Sequence, residues 1–107
     1  MAELNVTDQN FQTEVLDEKS KPVLVDFWAV WCTPCKIQGP IINDVAKEIG
    51  EQAKVAKVEV DESPVISSKY NILSIPTLAI FKNGEMVWQG VGVQQKQGIL
   101  DELKKHI

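Results

Sequence analysis

The sequence predicts an α/β chain in which a mixed β-sheet is sandwiched between helices. Three observations lead there. Apolar runs of strand character alternate with amphipathic helical stretches along most of the chain, the pattern of βαβ units. Near the end, two strand-like runs flank Lys82-Asn83-Gly84-Glu85. Asn-Gly is the strongest short hairpin signal, because a type I′ turn needs positive φ at both central residues. Finally, the strongest strand signal, Val23–Val30, leads directly into Cys32-Thr33-Pro34-Cys35, at the strand end where chemistry gathers in open α/β sheets.

Taken in order, Ala2–Val6 reads as a short edge strand. Thr7 caps a first helix with Asp8 in its first turn, and Phe11, Val15 and Leu16 form its apolar stripe. Val23–Val30 is nearly continuous in apolar, β-prone residues, as suits a strand buried on both faces. The helix after the cysteines carries Ile37, Ile41 and Val45 on one row and Ile42, Ala46 and Ile49 on the next, and Gly50 stops it. Pro40 lies inside this helix and predicts a kink near Gly39-Pro40. Val55–Val60 is the next strand. Ser63 then caps a short helix with Pro64 at its first position, running through Tyr70 to a stop at Asn71. Thr77–Phe81 and Met86–Gln89 form the hairpin. The tail from Gln94 is helical, with Ile99, Leu100, Leu103 and Ile107 on one face.

At 107 residues the chain reads as a single domain spanning 1–107. Its net charge is −4, and every basic residue except His106 is lysine. Without arginine or a basic patch, nucleic acid is a poor partner. The start, Met1-Ala2-Glu3-Leu4-Asn5-Val6, lacks the charged and apolar regions of a signal peptide. No stretch approaches the roughly 20 apolar residues of a membrane span. These features predict a cytosolic protein, where a close cysteine pair reads as catalytic or metal-binding rather than structural.

Cys32 and Cys35 are the only cysteines. Helical residues three apart have Cα atoms roughly 5 Å from each other, inside the range of about 4.4–6.8 Å that a disulfide requires. Such a short loop removes little unfolded-state entropy, so the bond reads as reversible chemistry. Pro34 suits the first helical position and Thr33 the N-cap, leaving Cys32 just ahead of the helix among unpaired N–H groups. That setting favours the thiolate, with Lys36 adding positive charge. Cys35, one turn in, reads as the buried resolving thiol. The competing reading is zinc, but structural zinc needs four Cys or His ligands, and this chain adds only His106.

Asp26 interrupts an apolar strand, so burial should raise its pKa and suit it to exchange a proton with Cys35. The competing reading is a structural carboxylate. Lys57, in the next strand, is either its partner or an exposed lysine. Pro76 begins a strand, where proline is tolerated; across folded proteins only about 5–6% of X–Pro bonds are cis. Trp28 reads as core. Trp31 abuts the motif and reads as a contact surface. Gly90 and Gly92 around Val91 make either a bend or room for a partner backbone.

Together these residues resemble the thioredoxin family over essentially the whole chain. The likeness rests on Val25-Asp26-Phe27-Trp28-Ala29, Trp31-Cys32, Pro34-Cys35-Lys36, Pro40, Lys57, Ile75-Pro76-Thr77, Phe81-Lys82-Asn83-Gly84 and Gly92. Thr33 stands where the family usually carries glycine, and Gly39-Pro40 departs from its usual approach to that proline. The resemblance implies the thioredoxin fold, a mixed five-stranded sheet flanked by four helices. It implies Cys32 as nucleophile, Cys35 as resolving thiol, and a buried Asp26 assisted by Lys57 in proton transfer. It implies a cis Pro76 facing the disulfide, and a client-binding surface of Trp31, Ile75, Pro76, Val91 and Gly92 beside Thr33 and Pro34. The implied activity is reduction of protein disulfides. With no Gly-rich cradle or ligand cluster in the sequence, no bound metal, flavin or nucleotide is expected, and a monomer is the default. Its partners would be disulfide-containing clients and a thioredoxin reductase or equivalent. An oxidase or isomerase with the same cysteines, and a scaffold that ignores them, are the alternatives.

Overall fold

In the computed structural model, which describes residues 3–107, the apolar run forms β2 (Val23–Trp28). It is the middle strand of a five-stranded sheet ordered β1-β3-β2-β4-β5. β1 (Leu4–Val6) and β2 both run parallel to β3 (Lys54–Glu59). β4 (Thr77–Lys82) is antiparallel to β2 and to β5 (Glu85–Val91). The thioredoxin-like mixed sheet is therefore present. Ala2, expected to open the first strand, lies outside the described residues.

β2 is shorter than expected because Ala29 and Val30 leave the sheet to approach the cysteines. Val60 likewise leaves β3 and enters a 3₁₀ turn, Val60–Glu62. The hairpin follows the turn chemistry: Asn83 and Gly84 have φ of +54° and +81° and link Lys82 directly to its partner Glu85.

Alternation along β2 divides the core. Leu24 faces one side with Leu78 and Ile80, covered by α1 (Thr33–Ile49) and α3 (Lys96–Lys104) through Ile42, Val45, Ile49, Ile99, Leu100 and Leu103. Val23, Val25 and Phe27 face the other side with Ala56, Val58 and Phe81. That side is covered by a single π-helical turn, Gln12–Leu16, and by α2 (Pro64–Lys69). Phe11, Tyr70 and Phe81 pack edge-on or tilted there, with ring centroids 5.2–5.8 Å apart.

Several local expectations need correction. The first helix is mostly turn, and Asp8 does not serve its own first turn. Its carboxylate accepts the N–H groups of Val65 (3.1 Å) and Ile66 (2.9 Å), so it caps α2 across 57 and 58 residues of chain. Ser63, the expected cap, is buried with its hydroxyl unpaired. Ile37 is exposed, because a row at i, i+4 drifts about 40° per step around a helix. The face that stays buried is Cys35, Gln38, Ile42, Val45, Ala46 and Ile49. Ile107 is exposed and lies beyond α3, which ends at Lys104. α1 runs unbroken through Pro40.

Candidate redox site

Where β2 ends, the chain turns at Ala29–Trp31 and enters α1. The Cys32 N–H donates to the Ala29 carbonyl (3.2 Å), tying the turn to the strand end. The helix begins one residue earlier than the proline suggested. Thr33 is already helical, Pro34 is second, and Cys32 itself is the N-cap, with extended backbone (φ −91°, ψ +111°). Its Sγ accepts the Cys35 N–H at 3.2 Å. The sulfur thus takes the place of a capping oxygen, receiving an N–H that would otherwise lack a partner.

Cys32 and Cys35 form a disulfide with Cα atoms 5.3 Å apart. Cys35 is buried as expected, but Cys32 is no more open: the two are 6% and 4% exposed. Thr33 and Pro34 are exposed beside them. Ala29, Trp28, Val60 and Ile75 pack around the pair. The Cys32 Sγ lies 3.8 Å from the Ile75 carbonyl oxygen, and the Ile75–Pro76 bond is cis. Ile75 is half-buried and Pro76 buried. The Gly92 N–H donates to the Pro76 carbonyl (2.8 Å). Gly92 has φ +86°, a conformation glycine adopts without strain. That bond holds Val91, 60% exposed, beside the proline.

Trp31 is 66% exposed, yet its indole Nε1–H donates to Asp61 at 2.7 Å. Glu59 accepts the N–H groups of Asp61 (2.6 Å), Glu62 (3.0 Å) and, from the neighbouring turn, Val30 (3.4 Å). These two acids orient the Val30–Trp31 corner. The sequence places Glu59 only within the strand Val55–Val60 and singles out neither acid, since nothing local signals a partner thirty residues away.

Alternation puts Asp26 on the same sheet face as Leu24, beneath α1. It is paired in register with Lys57 on β3 and Leu78 on β4. The residue is 1% exposed, and neither carboxyl oxygen has a hydrogen-bond partner. Burial pushes its pKa up to about 7, against the pull of Lys57 and with help from the Glu3 carboxylate. Lys57 makes no ion pair with it; the ammonium lies over the Trp28 ring, 4.8 Å from the centroid. A cleft of about 260 Å³, lined by Trp28, Val30, Cys35, Lys36, Gly39 and Lys57 among others, joins the Cys35 side of the disulfide to that ammonium.

The arrangement is a disulfide on a helix N-terminus with apolar side chains packed around it, on a sheet whose central strand buries an unpartnered carboxyl. Comparison with known proteins agrees. The thioredoxin family model matches residues 2–105. The chain belongs to the thioredoxin family. It is 52% identical over 103 residues to the thioredoxin of Rickettsia felis, covering 96% of this chain and 97% of that one. The thioredoxin of Rickettsia prowazekii is 50% identical over the same coverage. Thioredoxin 1 of Synechococcus elongatus is 49% identical over 102 residues, 95% of this chain and 94% of its own.

In this family a Cys-X-X-Cys pair at disulfide separation is a redox-active dithiol. The chain is a thiol–disulfide oxidoreductase working through Cys32 and Cys35. The family operates through the disulfide itself, without a cofactor. Among the described residues no group of three or more His, Cys, Asp and Glu is placed to hold a metal ion, and no helix is long and apolar enough to cross a membrane.

Proposed function

We propose that the whole chain acts as one domain, a monomeric cytoplasmic reductant of protein disulfides, with Cys32 as its nucleophile. The observation that carries this reading is the Cys32 sulfur at the N-cap of α1, with the Cys35 N–H directed at it over 3.2 Å. A thiolate there gains a hydrogen bond and the positive end of the helix dipole.

In the reduced protein the Cys32 thiolate attacks one sulfur of a client disulfide. A bond forms to Cys32, the client bond breaks, and the departing client sulfur leaves as a thiolate. Cys35 then loses its proton and attacks the Cys32 sulfur of the mixed disulfide. The intramolecular bond closes, and the second client thiolate departs. The client gains two electrons and the Cys32–Cys35 pair loses two. A thioredoxin reductase or equivalent returns them.

Asp26 accepts the Cys35 proton in this reading. Its burial and its pKa of about 7 support that role, because a base poised near ambient pH both takes and returns a proton. Lys57 assists by favouring the charged carboxylate. The client lies across Trp31, Ile75, Pro76, Val91 and Gly92, with Thr33 and Pro34 at the rim. Exposure of Trp31 and Val91 supports this surface, and in this reading the backbone of Ile75, whose carbonyl oxygen lies 3.8 Å from the Cys32 sulfur, pairs with an extended client segment.

The test is insulin-disulfide reduction by dithiothreitol, followed by turbidity. Catalysis above the thiol-only control supports the reading; a rate equal to the control sinks it.

A further inference from the structure

Gln38 is the one polar side chain on the buried face of α1, and it is 0% exposed. A buried primary amide leaves costly unmet hydrogen bonds unless both its ends find partners. Both ends of Gln38 are met by one residue, 56 positions away. Its Nε2 donates to the Gln94 carbonyl (3.0 Å), and its Oε1 accepts the Gln94 N–H (2.7 Å). The amide pairs with that backbone unit as a neighbouring strand would. The Gln94 side chain then turns back, and its Nε2 donates to the carbonyls of Val91 and Gly92 (3.3 Å each). From the other side the Gly92 N–H is held by the Pro76 carbonyl.

We infer that Gln38 is a positioning residue that clamps the Val91–Gln94 loop to the helix carrying Cys35, and so sets the shape of the client-binding rim. This rests on the proposed client surface and deepens it. Cys35 and Gln38 lie on the same buried face of α1, three residues apart, so the loop is registered to the disulfide through one rigid helix. Substitutes of similar size fail for chemical reasons. Leucine or methionine meets neither Gln94 group, and an ionised glutamate sets its charge against the Gln94 carbonyl. The loop has no other described side-chain anchor to α1. Losing the clamp removes the tie of this loop to α1 and leaves Val91 and Gly92 held only from the β4 side, so the client must fix the loop against the helix on binding. The cost falls on encounter with a protein client. A small disulfide that touches only Cys32 does not incur it.

The test measures KM and kcat of Gln38→Met for insulin reduction, beside the rate with 5,5′-dithiobis(2-nitrobenzoate). KM for insulin is expected to rise about fivefold with kcat held, and the small-disulfide rate to stay within twofold. An unchanged insulin KM, or an equal loss with both substrates, overturns the inference. Gln94→Leu provides a second arm if the buried substitution prevents folding. It keeps both backbone bonds to Gln38 and removes only those to Val91 and Gly92. Its insulin KM is expected to rise about threefold, and no change there also overturns the inference. A wild-type protein inert toward insulin would sink the proposed function and this inference together. A wild type that is active, with variants indistinguishable from it, sinks the clamp alone.

Discussion

Replacing Asp26 by alanine is expected to make the oxidised protein more stable above neutral pH than in acid, relative to wild type. The carboxyl is 1% exposed, without a hydrogen-bond partner, and its pKa stands at about 7 against an ordinary 3.8. Below pH 3.8 it is protonated whether the chain is folded or not, and contributes no slope. Between these values the native state holds a proton that the unfolded chain has released, so wild-type stability falls as pH rises. The fall ends once pH has passed through the folded pKa. At about 1.4 kcal/mol per decade the gap amounts to roughly 4 kcal/mol. The packing lost with the side chain shifts the comparison by a constant. Glu18, held low by Ser20, and Glu48, held low by Lys96, titrate alike in both proteins and cancel. Guanidinium unfolding of both oxidised proteins from pH 3 to 9 measures the difference, with no free thiol to interfere. A stability difference independent of pH would refute the reasoning and return Asp26 to an ordinary carboxylate.

Cys35→Ser is expected to accumulate mixed disulfides with clients while Cys32→Ser does not, read on non-reducing gels; the opposite pattern exchanges the roles. Lys57→Met removes the charge that holds Asp26 down, so the Asp26 pKa should move above its present value. Carboxyl-carbon NMR titration reads this, and a fall would contradict the assigned coupling. Asp8→Ala takes the cap from α2 and should cost about 1 kcal/mol in urea unfolding. A loss seen with Ser63→Ala and absent with Asp8→Ala would contradict the capping found here.

Features carried by neighbours in sequence were legible before the fold was known. β2 announced itself through an unbroken apolar run, and Asn83-Gly84 through backbone angles that few other pairs tolerate. Asp26 was recognisable because a carboxylate inside such a run must be buried. Features that depend on distant partners were not legible. Asp8 and Ser63 are both good capping residues, and only the packing of the first turn against α2 decides between them. Lys57 reads from sequence as either a partner of Asp26 or an exposed lysine; its ammonium lies over the Trp28 ring and acts on Asp26 through charge without an ion pair. Gln38 carried a signal that passed unused: a polar residue three positions from Cys35 and four from Ile42, on the stripe that helical periodicity marks as buried. Its partner at Gln94 is visible only once β5 has returned the chain to α1.

The N-cap position of Cys32 carries the account, and alkylation tests it most directly. The reduced protein is treated with one equivalent of iodoacetamide at pH 7, and the labelled residue is mapped by mass spectrometry. The account expects the mark on Cys32, at least about tenfold over Cys35, because only the Cys32 sulfur caps the helix and accepts a helix-end N–H that favours its thiolate. Label on Cys35, or shared evenly between the two, would contradict it.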